Sequence, residues 1–136
     1  MSGSAPPPGS AAEAGGEFLP AGWERIVAVT AVPGPFDFVT ASSGAGRVLV
    51  TRDADGVLHV LSNTCTHQQA TVCREPAGRA ESFECPNHYW VFGPDGRFTG
   101  SRLALAAGRT APPDPAKDLP AAEVDVVDGW VVARFR

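Results

Sequence analysis

Lysine, histidine and cysteine are all scarce in this chain of 136 residues, and the shortages exclude several classes of protein. Lys117 is the only lysine, and the eleven basic residues are outnumbered by fifteen acidic ones, for a net charge of −4. No basic stretch is present, so we expect no nucleic-acid partner. Long apolar runs are also missing, and none approaches the ~18 residues that a membrane span requires. We therefore expect no membrane association.

Cysteine is too sparse for a disulfide framework, since the chain has three and this number is odd. Cys65 and Cys85 belong to the motif described below, which leaves Cys73. This usage is typical of a reducing compartment, and no secretory or twin-arginine signal is visible. We therefore expect a cytoplasmic protein. Cys73 is interpreted as a small buried apolar residue, with a redox-sensing thiol as the alternative.

The chain divides into two parts by composition. Residues 1–22 are rich in proline, glycine and alanine and nearly free of charge. Such a segment cannot bury enough apolar surface to offset the entropy lost on ordering, so it is predicted to be a disordered tail. Residues 23–136 are long enough for a single domain with one modest core.

Short apolar stretches separated by turn residues indicate an all-β domain. The clearest hairpin turns are residues 53–56 and Asp128-Gly129. The strand at 36–40 is predicted to lie at an edge, residues 104–116 are predicted to be an irregular connection, and no helix is expected. Strands are predicted at 25–30, 36–40, 47–51, 57–62, 82–84, 89–92, 97–99, 123–127 and 130–135. The expected fold is an antiparallel β-sandwich or small barrel.

Two short loops carry the candidate metal ligands. They are Cys65-Thr66-His67 and Cys85-Pro86-Asn87-His88, with seventeen residues between them. This spacing is typical of a Rieske [2Fe–2S] centre, in which two histidines replace two cysteines on one iron. Cys65 and Cys85 are expected to hold one iron as thiolates, and His67 and His88 the other as neutral imidazoles, with one cluster per chain. A structural zinc site is the alternative, although its usual order is a cysteine pair followed by a histidine pair.

The residues around these loops resemble the N-terminal Rieske domain of ring-hydroxylating oxygenase α subunits. The resemblance covers roughly residues 23–136 and rests on the segments 61–67, 85–90 and 93–96. It implies the Rieske fold, in which antiparallel sheets present two cluster-binding loops at one tip.

Three residues of the loops depart from the family pattern. Gln69 stands where that family usually has glycine, and Asn87 and Tyr89 stand where it usually has tyrosine and glycine. Because glycine serves where backbone approaches a ligand closely, the geometry and potential of the cluster are expected to differ. Respiratory Rieske proteins carry serine and tyrosine hydroxyls at the positions of Trp90 and Phe92, so the potential is predicted at the low end of the Rieske range.

The resemblance also implies what the chain lacks. Oxygen activation in that family uses a second iron held by two histidines and a carboxylate. With His67 and His88 assigned to the cluster, only His59 remains, and it is interpreted as a surface or hydrogen-bonded strand residue. No catalytic residue and no mononuclear iron site are therefore predicted.

The function predicted from this resemblance is electron transfer. The protein would carry one electron between a reductase and an oxygenase-type partner, and its acidic surface would help to select that partner. The alternative is a non-catalytic subunit or remnant that completes a separately encoded oxygenase. An iron–sulfur redox sensor is a third hypothesis, but no signalling segment accompanies it.

Overall fold

The computed structural model describes residues 21–64, 71–85 and 90–135. Within these ranges the chain forms ten strands, one short helix (α1, Arg102–Ala106) and single 3₁₀ turns at Val29–Ala31 and Pro115–Lys117. The strands, in chain order, are β1 Glu24–Ala28, β2 Asp37–Ser43, β3 Gly46–Arg52, β4 Leu58–Ser62, β5 Ala77–Arg79, β6 Phe83–Glu84, β7 Trp90–Phe92, β8 Phe98–Ser101, β9 Glu123–Val127 and β10 Trp130–Arg134.

The strands form three antiparallel sheets in the described part of the chain. Their orders are β1-β10-β9, β4-β3-β2-β5 and β6-β7-β8. The four-stranded sheet is central, and the isolated bridge between Leu61 and Ala121 links its β4 to the segment before β9. The prediction of an all-β fold is confirmed.

The central sheet buries both of its faces. Along β3, Val48 and Val50 lie in one core while Leu49 lies in the other, and Val60 and Leu61 of β4 divide in the same way. This is the alternation expected of a strand, in which successive side chains point to opposite faces. The first core contains Phe38, Leu49, Leu61, Val72, Phe83, Cys85, Phe92, Phe98 and Leu119. The second core contains Val32, Val48, Val50, Val60, Val131 and Ala133.

The hairpin between β3 and β4 shows why this part of the chain was predictable. Asp53 accepts hydrogen bonds at Oδ1 from the backbone N–H groups of Asp55 and Val57, at 2.9 and 3.0 Å. Gly56 has a φ of +81°, a conformation that glycine adopts without steric cost. Turn residues of these types therefore act through defined hydrogen bonds and backbone angles.

Several predictions of local structure are wrong, including the expectation that the chain has no helix. The predicted edge strand at 36–40 is β2, which runs to Ser43 and pairs with β3 on one side and β5 on the other. The predicted irregular connection begins inside α1, whose first turn is capped by the Ser101 hydroxyl accepting from the Ala104 N–H at 3.2 Å. β1 also ends at Ala28, where the first 3₁₀ turn begins.

The β7–β8 turn fastens the third sheet to the central one. The buried Thr51 hydroxyl donates to the carbonyl of Pro94, and the Leu119 N–H donates to the carbonyl of Gly96 at 2.9 Å. This turn lies at the end of the β7–β8 hairpin opposite to Trp90, where the second candidate loop ends. The turn and Trp90 therefore lie at opposite ends of this hairpin.

Candidate metal centre

The structure describes the chain on both sides of each candidate loop. Of the four predicted ligands, Cys85 lies within the described residues, whereas Cys65, His67 and His88 lie outside them. Gln69, Asn87 and Tyr89, the three departures from the family pattern, also lie outside. The ligand set therefore stays a prediction, and the geometry of the site is that of the segments on which the loops begin and end.

The first loop is closed by backbone pairing immediately beside it. Thr64 and Thr71, which flank the loop on either side, form an isolated antiparallel bridge. One residue further out, the Val72 N–H donates to the carbonyl of Asn63 at 3.0 Å. The two ends of the segment that contains Cys65 and His67 are therefore held together.

The second loop is closed in the same way. Phe83 pairs with Phe92 and Glu84 with Val91, and the Cys85 N–H then donates to the carbonyl of Trp90 at 2.8 Å. Four residues, 86–89, connect Cys85 to Trp90. Cys85 thus occupies the last paired position of a hairpin, just before the segment that carries His88.

Both loops end on the first core. Val72, which follows the first loop, and Cys85, which precedes the second, are buried members of that core, and Cys85 has no exposed surface. Cys73 and Trp90 pack against it. The two loops come from different sheets, and this shared core brings their bases to the same part of the molecule.

Trp90 links the second loop to a cation. Its ring packs on that of Phe98, with centroids 4.9 Å apart. The ammonium of Lys117 lies 5.4 Å from the centroid of the Trp90 ring and 5.1 Å from that of Phe98. These distances fall within the range of cation–π attraction. Sequence reasoning missed this residue because Lys117 is 27 positions from Trp90 and its role appears only in the fold.

Charged groups beside the second loop are paired. Glu84, the neighbour of Cys85, lies 3.4 Å from the guanidinium of Arg102 at the start of α1. The carboxylate of Asp114 lies 3.8 Å from the Lys117 ammonium. Both pairs are partly exposed, so each contributes little to stability.

Cys73 is partly buried rather than fully enclosed. Burial raises the pKa of its thiol, because the charged thiolate loses hydration there, and the nearby charge of Glu75 acts in the same direction. A thiol with a raised pKa is a poor nucleophile near neutral pH. These properties favour a packing role over the redox-sensing alternative.

The remaining histidine has an ordinary structural partner. His59 on β4 lies 2.9 Å from Asp53 Oδ2, across the hairpin turn. This agrees with the interpretation of His59 as a hydrogen-bonded strand residue. Among the described residues, no group of three or more His, Cys, Asp or Glu side chains lies close enough together to hold a metal ion.

The environment of Cys85 fits a metal-bound thiolate. Its neighbours in the first core are apolar and exclude water, and a solvent-shielded shell is one of the means by which proteins set the properties of iron–sulfur centres. Val72, which follows the segment that carries the first cysteine and histidine, belongs to the same core. The described residues are therefore compatible with a cluster held between the two loops.

Comparison with known proteins supports this interpretation. The model of the Rieske [2Fe-2S] domain family matches residues 22–106. The N,N-dimethyl phenylurea N-demethylase subunit alpha of Sphingobium sp. is 39% identical over 79 residues, which are 58% of this chain and 17% of the relative. The large oxygenase component of the naphthalene 1,2-dioxygenase system of Pseudomonas fluorescens is 36% identical over 76 residues, which are 56% of this chain and 17% of the relative.

Solved structures show the same fold. Naphthalene 1,2-dioxygenase with indole bound superposes with a TM-score of 0.72 at 28% identity, covering 84% of this chain and 26% of that chain. A quaternary ammonium Rieske monooxygenase, which shares 21% identity, superposes with a TM-score of 0.70 over 84% of this chain and 31% of that chain. This chain spans less than a fifth of the length of the two curated relatives.

Proposed function

Because this chain belongs to the Rieske [2Fe–2S] domain family, we propose that it transfers single electrons between a reductase and an oxygenase-type partner. The family implies a Rieske-type [2Fe–2S] cluster, and oxygenase subunits are the relatives that share this domain. The observation that carries the proposal is the convergence of both loop bases on one apolar core, with Cys85 fully buried at the end of its hairpin. When bound, the cluster supplies one-electron chemistry that side chains cannot provide.

The ligands that we propose are Cys65 and Cys85 for one iron and His67 and His88 for the other. The thiolates would come from the start of each loop, and the imidazoles from within it. Closing each loop by backbone pairing reduces the conformational freedom that binding would otherwise have to remove. The fold's contribution is therefore to bring the bases of the two loops together before the metal binds.

We place the potential near the low end of the Rieske range. Phe92 is fully buried and Trp90 packs on Phe98, and neither side chain has a hydroxyl to donate to a sulfur. Since hydrogen bonds to the sulfurs raise the potential, their absence from these two positions predicts a value of roughly −150 mV. Protein-film voltammetry measures this directly, and a value above about +100 mV would contradict the assignment of these positions.

The partner assignment is part of the same proposal. The net charge of −4 favours docking on a basic surface, and it predicts that association slows as salt is added. None of the helices that the structure describes has the length and apolar composition to cross a membrane.

A pair of cysteine variants tests the cluster. Cys85→Ser replaces a fully buried thiol by a hydroxyl of similar size, so the fold should persist while the thiolate is lost. We expect wild-type protein to contain two irons and two sulfides and to give a rhombic, low-average-g electron paramagnetic resonance signal after reduction. Cys85→Ser should lose this signal, and Cys73→Ser should keep it. Stoichiometric zinc in the wild type would refute the proposal.

A reduction assay separates the carrier from its alternative. A carrier should accept one electron from a reductase in the absence of any other protein and pass it to an oxygenase. A subunit that completes a catalytic chain should instead copurify with that chain at fixed stoichiometry and be reduced slowly when isolated. That result would replace the carrier role but leave the cluster assignment intact.

A further inference from the structure

Asn63 occupies a buried position two residues before Cys65, and its side chain is fully engaged. Only 1% of the residue is exposed. Its Nδ2 donates to the carbonyl of Cys73, and its Oδ1 accepts from the Cys73 N–H, both at 2.8 Å. One side-chain amide therefore satisfies both backbone polar groups of a residue ten positions away.

The backbone of Asn63 extends the same set of hydrogen bonds. Its N–H donates to the carbonyl of Arg47 in β3, and its carbonyl accepts from the Val72 N–H, both at 3.0 Å. Asn63 thus joins the central sheet on one side to residues 72 and 73 on the other. These are the residues by which the chain leaves the first loop.

Apart from these contacts of Asn63, the backbone pairing beside the first loop is minimal. β4 ends at Ser62, and the pairing of Thr64 with Thr71 is an isolated bridge rather than part of a ladder. Cys73 lies outside any strand, so no neighbouring strand pairs with its backbone. Instead, the side-chain amide of Asn63 forms the two hydrogen bonds that a neighbouring strand would provide to Cys73.

We propose that Asn63 is a positioning residue for the cluster, because its side chain holds the two ends of the first loop at a fixed separation. This inference rests on the proposed function, in which Cys65 and His67 of that loop are ligands. Side chains that orient metal ligands without touching the metal commonly control affinity and potential. Asparagine suits the task because one planar group offers a donor and an acceptor side by side.

The test compares Asn63 variants with a matched variant near the other end of the β3–β4 ladder. Asn63→Leu preserves size but leaves both groups of Cys73 unpaired, and Asn63→Asp replaces the donor by an oxygen that faces the Cys73 carbonyl. Thr51→Val is the control. Like Asn63, Thr51 is 1% exposed, and Thr51→Val removes its hydrogen bond to the Pro94 carbonyl. Thr51 pairs with His59, three positions along the β3–β4 ladder from the pair of Val48 and Ser62, and Ser62 is the residue that precedes Asn63.

The principal measurement is the rate at which the intact protein loses visible cluster absorbance to an excess of an iron chelator. Urea unfolding of each variant serves as the measure of stability. We expect both Asn63 variants to release the cluster at least about tenfold faster than wild type, the factor that corresponds to ~1.4 kcal/mol for unpaired buried groups. Thr51→Val should remain within about twofold of wild type. The reduced-state resonance spectrum should change its g values in the Asn63 variants and keep them in Thr51→Val.

The outcomes distinguish the positioning role of Asn63 from the proposed ligand set on which it rests. Equal release rates and unchanged g values in the Asn63 variants, or release that follows urea stability alike in all variants, would overturn the positioning role. Cys65→Ser tests the ligand set independently, since a variant that kept the wild-type signal would remove Cys65 from the cluster whatever Asn63 does. If Asn63→Leu does not fold, Asn63→Ser provides a milder loss of the same hydrogen bonds and decides by the same criterion.

Discussion

Gly96 is the position where a single added methyl group should cost most. It lies in the turn between β7 and β8 with a φ of +85°, and a Cβ built there would lie 2.8 Å from Cδ2 of Leu61 and 3.3 Å from the carbonyl oxygen of Leu119. Leu61 has no exposed surface and Leu119 has 2%, so neither has free space into which to move. Gly96→Ala therefore combines an unfavourable backbone conformation with a steric clash.

The two costs can be estimated separately. A residue with a Cβ pays about 1–2 kcal/mol for the left-handed conformation. Overpacking a well-filled core adds about 1–3 kcal/mol. We expect Gly96→Ala to lower the free energy of unfolding by about 2–5 kcal/mol. At roughly 4 °C per kcal/mol, the unfolding midpoint should fall by about 8–20 °C.

Gly56→Ala is the matched control, since it shares the conformation but not the clash. Gly56 has a φ of +81°, and a Cβ there would meet nothing within 4 Å. Its expected cost is the backbone term alone, about 1–2 kcal/mol. Urea unfolding followed by circular dichroism measures both variants. If the two substitutions cost the same within ~0.5 kcal/mol, the contact between Gly96 and Leu61 does not limit the turn, and the reasoning fails.

Two further predictions concern charged residues. The hydrogen bond from His59 is the largest cause that holds the pKa of Asp53 below its ordinary value of 3.8, so His59→Phe should raise that pKa when it is measured by NMR titration. An unchanged pKa of Asp53 in the variant would contradict the pairing. In the wild type, the paired carboxylate stabilises the fold at pH values above its ordinary pKa, and this stabilisation is lost as the pH falls through the lowered pKa of the folded state. Lys117→Met should lose about 0.5–1 kcal/mol of unfolding free energy with its contacts to Trp90 and Phe98, and Lys117→Arg should retain most of it. Equal losses in both variants would show that the cation does not contribute.

Sequence patterns predicted the hairpins whose turns consist of residue types that favour tight turns. β3–β4 and β9–β10 were located because Asp53 and the pair Asp128-Gly129 encode tight turns, and the structure forms both hairpins. β5 was missed because Ala77–Arg79 is exposed throughout and has no apolar alternation. It is a strand only because β2 pairs with it. β2 lies inside its sheet because β5 pairs with its second edge, and the sequence of β2 alone does not indicate this.

The short helix was missed for a related reason. Arg102–Ala106 has five residues, fewer than an isolated helix needs for stability in water. The Ser101 hydroxyl caps its first turn, but the contact that supports the helix could not be predicted from the sequence. A Cβ at Gly100 would lie 3.4 Å from Leu105, which shows how closely this helix packs on β8. Tertiary packing, rather than propensity, therefore determines this element.

In the candidate site, too, the local sequence predicts one part, the ligands, and does not predict another, the packing that brings the loop bases together. The spacing of cysteine and histidine predicts the ligands because metal coordination needs particular donors in a short loop. Nothing in that spacing indicates how the bases of the two loops are brought together, since the first loop follows β4 of the four-stranded sheet and the second connects β6 and β7 of another sheet. The bases of the loops are brought together because Val72 and Cys85 share one core, and Cys73, which follows the first loop, is hydrogen-bonded to Asn63, an asparagine outside the motif. Because a cluster binds the folded chain better than the unfolded one, its binding energy stabilises this packing in return.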